Sequence, residues 1–265
     1  MDRETKEPRD LAGREHWKRF WAEAGEMDIR LNPRTRNFSD LHKLFVRCLP
    51  GTRGKRFMEL GCYPGRFLWY FATHFGCRVS GMEYVESCCR ATEKNLAREN
   101  IQSEIINADL FKYDPGSNES WDIIASFGLV EHFVDGELII QRHLELVKPG
   151  GLVIVTVPNL QGLYGKILKK LDPRTYSVHR VISLEQLTGE ALACSECEIV
   201  EAGYYGRLGF GHTGLREAAR GLGKPVDLTT RALLYAMENT AQYLFKPSSC
   251  FSPYIALVAR KRPAS

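Results

Sequence analysis

The chain of 265 residues is 44 % hydrophobic and 26 % charged, close to globular averages, which excludes a disordered chain, a collagen-like fibre and a coiled coil. Its net charge of +4 is too small to indicate a basic face for nucleic acid. No run reaches the roughly 18–20 apolar residues of a membrane span, and the charged first ten residues lack the apolar core of a secretory signal. We therefore expect a cytoplasmic protein.

The eight cysteines lie mostly inside apolar segments, which indicates reduced and buried thiols. Cys194 and Cys197 form a lone C-x-x-C pair. A structural zinc site would need a second pair or histidines at matched spacing, so we predict no metal there.

The hydrophobic pattern predicts two opening helices and then alternating strands and helices. The predicted helices cover residues 15–26, 41–48, 66–75, 86–99, 136–147, 183–193, 215–220 and 228–245. The predicted strands cover residues 55–60, 77–82, 103–107, 121–126, 152–157, 196–205 and 253–260.

This alternation predicts an α/β fold in which a doubly wound, mostly parallel seven-stranded sheet is covered on both faces. We expect residues 1–50 to form an N-terminal helical cover. The main domain would occupy residues 51–265, with a helical insert at about 206–252 between the last two strands.

Three successive strands end in acidic or glycine-rich tips. Glu59 ends the first strand, and Gly61 and Gly65 follow, which lets the backbone approach a ligand where a helix begins. Glu83 ends the second strand, in position to accept hydrogen bonds from both hydroxyls of a ribose. Asp109 follows the third strand and can accept from an adenine amine. A nicotinamide dinucleotide would need G-x-G-x-x-G, which this turn lacks.

Five segments resemble the class I S-adenosylmethionine (SAM)-dependent methyltransferases in order and spacing. They are MELGCYPG (58–65), GMEYVES (81–87), NADL (107–110), WDIIASFGLVEHFVD (121–135) and LVKPGGLVIVTVPN (146–159). The block HRVISLEQL (179–187) resembles the small-molecule branch, which includes ubiquinone-, menaquinone- and natural-product-type enzymes. The resemblance implies SAM as cofactor, S-adenosylhomocysteine (SAH) as product and a small organic acceptor, with oxygen slightly favoured over nitrogen.

The resemblance also implies which residues hold the cofactor. They are Glu59, Gly61, Cys62, Gly65, Glu83, Tyr84, Asp109, Leu110 and Phe127. Glu59 would support the ammonium group, Glu83 the ribose, and Tyr84 would lie beside the adenine. Tyr63 stands where the family often has glycine, and it would narrow the space beside the methionine part as a wall of the substrate site.

His132 is the candidate base for removing the acceptor proton, because an imidazole accepts protons near neutral pH. The alternative is that Glu131 and His132 only brace their loop. In ubiquinone-type enzymes this segment reads Glu-x-x-Glu-His and can hold a divalent metal. Gly128 replaces the first acid here, so we predict no metal requirement.

The remaining candidates for contact with the acceptor are Trp21, His179, Tyr205 and His212, with packing as the alternative for each. Two other functions stay open. A methyltransferase acting on RNA or protein would need a broad, basic crevice. A SAM-binding module would bind SAM without consuming it, with Tyr63 blocking the acceptor side. The sequence reveals neither the acceptor nor the oligomeric state.

Overall fold

The computed structural model describes residues 10–24, 27–116, 120–208 and 215–263. Its strands are β1 (Arg56–Leu60), β2 (Arg78–Glu83), β3 (Ser103–Asn107), β4 (Trp121–Phe127), β5 (Val147–Pro158), β6 (Cys197–Tyr205) and β7 (Tyr254–Lys261). Its helices are α1 (Arg14–Ala24), α2 (Arg36–Cys48), α3 (Arg66–Phe75), α4 (Glu86–Arg98), α5 (Gly136–Leu146), α6 (Leu163–Leu171), α7 (Pro173–Ser177), α8 (Leu184–Ala193), α9 (Leu215–Gly221) and α10 (Lys224–Leu244).

The strands form one sheet in the order β3-β2-β1-β4-β5-β7-β6. The first five strands run parallel, and β7 lies antiparallel between β5 and β6. One face packs on α5 and α8 through residues such as Ile139, Leu144 and Leu187, and the other packs on α2 and α3 through residues such as Phe45 and Phe71. The predicted fold class is confirmed.

Local sequence sets the ends of the helices. Gly65 precedes α3 and Gly76 follows it, both with left-handed backbone (φ 97° and 65°) that a side chain would strain. Ser183 and Gln186 form a capping box at the start of α8, where each side chain binds the other's backbone N–H. These signals explain why both helices lie close to their predicted ranges.

The N-terminal helices differ in their packing. Leu41, Leu44 and Phe45 of α2 are buried in the main core, and Arg47 forms an ion pair with Glu201 of β6. The strong apolar stripe of α2 makes it part of the sheet's cover. That residues 1–50 form an N-terminal helical cover stays a prediction.

Three segments differ from the predicted elements. Residues 148–151, which separate the predicted helix 136–147 from the predicted strand 152–157, lie inside β5, where the pairing with β4 shifts register between Trp121 and Ile123. The short helices α6 and α7 were not predicted; Asp172 caps α7 ahead of Pro173. In the insert, α10 buries Leu234 in a small cluster, while most of its other apolar side chains are exposed.

Within the described ranges, no helix is long and apolar enough to cross a membrane.

Candidate active site

Two cavities meet at the carboxyl ends of the parallel strands. The first, here called the strand-tip cavity, is lined by the ends of β1 to β4 and by α1, with Leu60, Glu83 and Asp109 among its residues. The second, the side chamber, has a volume of about 720 Å³ and extends from α1 across β4 and β5 to Tyr254 of β7. A chamber of this size accommodates a small organic molecule.

The turn after β1 brings the backbone close to the strand-tip cavity. Gly61 lies in the left-handed region (φ 73°), and its N–H donates to the carbonyl of Met82 at 2.9 Å. Cys62 points into the core against Gly81, where an added Cβ would lie 2.5 Å from its Sγ. Gly61 therefore faces the cavity, whereas Cys62 can contribute only backbone atoms and Gly65 begins α3 off the cavity wall.

Glu83 ends β2 on the wall of the strand-tip cavity. Its Oε1 accepts from the N–H groups of Tyr84 (2.8 Å) and Val85 (3.0 Å), which fixes the carboxylate at the strand tip. Burial raises the pKa of Glu83, although these backbone donors oppose the shift. The arrangement is the one expected for binding a ribose.

Glu59 lies one residue before Leu60 and is buried beneath the turn. Its Oε2 has no hydrogen-bond partner among the described residues. Burial raises the pKa of Glu59 well above its usual range, and the nearby charge of Glu83 adds to this. A buried oxygen without a partner suits a cationic group of a ligand, although Glu59 is not on the cavity wall.

The far end of the strand-tip cavity is lined by Tyr84, Asp109 and Leu110. Asp109 Oδ1 accepts from the N–H of Phe111 at 3.0 Å, and the carbonyl of Leu110 accepts from Arg142 Nε at 2.7 Å. These bonds hold the segment after β3 in place. The predicted adenine side is therefore ordered and faces the cavity.

Four residues line both cavities: Trp17 and Trp21 of α1, Gly128 and His132. The ring of Trp17 meets His132 edge-on at 4.6 Å between centroids, and Trp21 lies 5.0 Å from the ring of Tyr63. The two cavities therefore adjoin at these four residues.

The segment before α1 is fastened to the same wall. The N–H of Leu11 donates to the carbonyl of His132 at 2.9 Å, and Asp10 forms an isolated bridge with Phe133. The guanidinium of Arg14 lies 4.5 Å above the ring of Tyr84. Together these contacts hold α1 over the two cavities.

His132 lies on a single 3₁₀ turn, Val130–His132, after β4. Its Nδ1 lies 2.7 Å from the carbonyl of Val178, and because a carbonyl only accepts, Nδ1 carries the proton and Nε2 keeps its lone pair. Burial lowers the pKa of His132 to about 3, and the nearby charge of His179 adds to this. The imidazole is therefore neutral near pH 7.

Glu131, His132 and His179 form a cluster whose donor atoms all lie within 4.8 Å of one another. His179 Nδ1 lies 2.6 Å from the carbonyl of Thr175, so its Nε2 is also free. Glu131 Oε2 is buried with no hydrogen-bond partner among the described residues, and burial raises the pKa of Glu131 to about 8.

The spacing and chemistry of this cluster fit a divalent cation. The two Nε2 atoms and the Glu131 carboxylate would hold it, and it would act as a Lewis acid toward an acceptor oxygen. The charge of Arg180, which acts on the same carboxylate, opposes such an ion. The absence of a metal requirement stays a prediction.

The predicted acceptor contacts fall into three groups. Tyr63 lines the strand-tip cavity, Trp21 lines both cavities and His179 lines the side chamber. Tyr205 lies on neither wall, because it is packed in the core and its hydroxyl donates to Glu201 at 2.8 Å. His212 lies outside the described residues.

Of the predicted cofactor residues, Phe127 lines the other cavity, and several residues of the side chamber were not predicted from the sequence. Phe127 lines the side chamber, where its ring stacks on Phe67 with centroids 3.4 Å apart. Arg34 and Arg66 also line the chamber and were not singled out. Arg66 could have been predicted from its position directly after the glycine turn. Arg34 could not, because it lies in a segment without a motif.

The fold and the acidic strand tips define a class I methyltransferase domain. Residues 34–193 match the family model described as "Methyltransferase domain". This match covers more than half of the chain, so the chain belongs to the methyltransferase domain family. The predicted resemblance is thereby confirmed, and SAM is the cofactor of such domains.

One similar protein sequence and two similar solved structures illustrate the match. The "Ubiquinone biosynthesis O-methyltransferase" of Neisseria meningitidis serogroup C (strain 053442) is 25 % identical over 175 residues, which cover 64 % of this chain and 64 % of that protein. The 4+2 cyclase SpnF superposes with a TM-score of 0.59 at 17 % identity, covering 88 % of this chain and 85 % of that one. Coclaurine N-methyltransferase bound to N-methylheliamine and SAH superposes with a TM-score of 0.57 at 15 % identity, covering 89 % of this chain and 77 % of that one.

The matched region thus spans just under two thirds of the Neisseria protein. At 15–17 % identity, the likeness to the two solved structures shows the fold alone.

Proposed function

We propose that the protein transfers the methyl group of SAM to an oxygen of a small organic acceptor bound in the side chamber. One observation carries this proposal: the strand-tip cavity, which has the acidic tips suited to SAM, shares a wall with a chamber sized for a small molecule. The O-methyltransferase function of the Neisseria relative supports oxygen as the acceptor atom. Nitrogen is the second candidate.

The proposed cofactor contacts follow the geometry of the cavity. Glu83 would bind the ribose hydroxyls and Asp109 the adenine amine, while the backbone of Gly61 would lie along the methionine part. The free Oε2 of Glu59 would receive the ammonium group, directly or through water. Tyr63 and Trp21, whose rings lie 5.0 Å apart, would then flank the methyl group and leave its chamber side open to the acceptor.

The reaction is an in-line displacement in which the acceptor oxygen bonds to the methyl carbon as the carbon–sulfur bond breaks, leaving SAH. The sulfonium is already a strong electrophile, so the protein mainly has to align the two groups and exclude water. As the new bond forms, the acceptor hydroxyl becomes strongly acidic. His132 Nε2 would accept its proton, held in orientation by the bond from Nδ1 to Val178.

Calorimetric titration with SAM, SAH and a nicotinamide dinucleotide tests the cofactor. We expect the two sulfur ligands to bind and the dinucleotide not to bind. Acceptor assays that follow SAH formation then test the reaction, with catechols, phenethylamines, RNA and protein as alternative acceptors. Failure of SAM to bind would overturn the cofactor assignment, and binding without consumption by any acceptor would favour a SAM-binding module.

A further inference from the structure

Two arginines line the side chamber, and neither has a carboxylate partner in the part of the chain that the structure describes. Arg66 is half-buried at the start of α3, and Arg34 lies in the segment before α2. Among the described residues, no carboxylate lies within ion-pairing distance of either guanidinium. Among the described ranges, arginines that pair with carboxylates include Arg30, Arg47, Arg90, Arg142, Arg180 and Arg231, and none of these lies on the wall of the side chamber.

Arg66 is held in place for binding a ligand. Its Nε donates to the carbonyl of Asp28 at 2.9 Å, which fixes the plane of the guanidinium and leaves the terminal N–H groups for another partner. Its positive charge also acts on the hydroxyl of Tyr254, which lines the same chamber. A fixed guanidinium that faces the same chamber as a hydroxyl is a suitable receptor for a carboxylate or another small anion.

Aromatic rings form the adjoining wall of the chamber. Phe67 follows Arg66 directly and stacks on Phe127, and Phe38 meets Phe67 edge-on at 5.9 Å between centroids. His132 lies on the turn that follows Phe127 by a few residues. The chamber wall therefore includes cationic groups, flat apolar rings and the candidate base.

One acidic residue of the insert faces the same region. Glu238 of α10 lines the chamber, and its negative charge also acts on Tyr254. The other carboxyl group on the chamber wall, Glu131, lies beside His132 and is acted on by the charge of Arg180. Around Tyr254, the two guanidiniums against Glu238 leave the wall net positive. Glu238 would therefore weaken the binding of an anion, but the net charge of this part of the wall would stay positive.

We propose that the acceptor carries an anionic group, bound by Arg66 with the help of Arg34, and a flat apolar body that lies on Phe67 and Phe127. This inference rests on the proposed function, because it places the acceptor in the side chamber. A carboxylate is the simplest such group. Phosphate- and sulfate-bearing molecules share the required charge and geometry, and they are separated by the test.

The test compares an acid with its neutral, isosteric amide. SAH-loaded protein is titrated by calorimetry with 3,4-dihydroxybenzoate and with 3,4-dihydroxybenzamide. We expect the acid to bind at least about tenfold more tightly, the range expected for one charge-assisted hydrogen-bonded pair. Phenyl phosphate and phenyl sulfate then show which anion binds best. Equal affinities for the acid and the amide, or no binding of any of the three anions, would overturn the proposal.

Variants assign the preference to these residues. Arg66→Gln should remove most of the preference for the acid, and Arg66→Lys, which keeps the charge, should retain part of it. Arg90→Gln removes an equal charge from the surface of α4 and should leave the preference unchanged. A preference that survives in the double variant Arg34→Gln/Arg66→Gln would overturn the assignment.

Methyl transfer is measured separately by SAH formation. An acid preference without methylation of any acceptor would leave the anion site standing and overturn the proposed function. Methylation of neutral catechols without a preference for the acid would support the proposed function and overturn the anion site.

Discussion

The strand-tip cavity and the side chamber share a wall but are built differently. The cavity lies on the ends of adjacent parallel strands, and apart from the segment around α1 its residues fall between Leu60 and Phe133. The chamber draws residues from His16 to Tyr254, including α1, α3, β5, α6 and α10. In the proposed arrangement, SAM, the ligand common to the family, would bind to the sheet itself. The acceptor, which varies within the family, would bind to the helices and loops packed around the sheet.

The largest expected effect is at the shared wall. His132→Ala should leave SAM binding nearly unchanged and lower turnover by about 10²–10⁴-fold, because the proton acceptor is lost. His132→Asn is the matched control, since its amide can still donate to the carbonyl of Val178 but lacks the free ring nitrogen. Single-turnover rates with SAM distinguish the roles: full rescue by asparagine would make His132 a brace.

A second test addresses the scaffold behind both cavities. His143 of α5 is fully buried, with Nδ1 2.7 Å from the carbonyl of Ile139 and Nε2 2.9 Å from Ser126 Oγ. Burial lowers its pKa to about 4. Between that pH and about 6.5 the unfolded chain binds a proton that the folded chain does not, so stability falls by about 3 kcal/mol as pH drops through this window.

Urea unfolding from pH 7 to pH 4 measures this loss. In His143→Gln the free energy of unfolding should fall less steeply as the pH drops, because the variant lacks the proton that His143 binds in the unfolded chain. An unchanged pH dependence in the variant would mean that other groups cause the acid sensitivity.

A smaller effect is expected inside the strand-tip cavity. Glu83→Ala should weaken SAM binding by about 10- to 100-fold, because a charge-assisted contact to the ribose contributes roughly 1.5–3 kcal/mol. Asp109→Ala should weaken it less. Binding of the acid probe to the side chamber should persist in both variants. Calorimetry checks each affinity, and an unchanged SAM affinity in Glu83→Ala would contradict the ribose assignment.

The smallest effect is expected from removing metal ions. Turnover should change by less than about twofold in the presence of a chelator, because the sulfonium needs no Lewis acid and His132 can take the proton. A large loss that Mg²⁺ or Zn²⁺ restores would instead assign the cluster of Glu131, His132 and His179 to an ion. Arg90→Gln provides a control for nonspecific salt effects.

The strand-tip cavity could be predicted from the sequence because its residues follow the strands within one or two positions. Glu83, Asp109 and Gly61 therefore reach the cavity wherever the parallel sheet forms. Side-chain direction did not follow from the motifs: Cys62 packs against Gly81, and the ring of Phe127 at the end of β4 stacks on Phe67. Their roles as cofactor contacts stay predictions.

The side chamber could not be predicted in the same way. Arg34, Arg66 and Tyr254 meet only after residues more than two hundred positions apart have packed together. Tyr205 shows the opposite failure, since an aromatic residue near a strand end was expected in a pocket and instead pairs with Glu201 in the core. Periodicity indicates which face of an element is buried, but not which partner buries it.

The position of β7 in the sheet has a consequence for synthesis of the chain. Within the described sheet, β6 pairs with β7 alone, and β7 joins it to β5. On the ribosome, β6 must wait without a strand partner until residues 254–261 have emerged, about fifty residues after β6 itself. The parallel half can form early, whereas closure of the sheet is the last step, so a nascent chain stalled within the insert would expose the edges of β5 and β6 to aggregation.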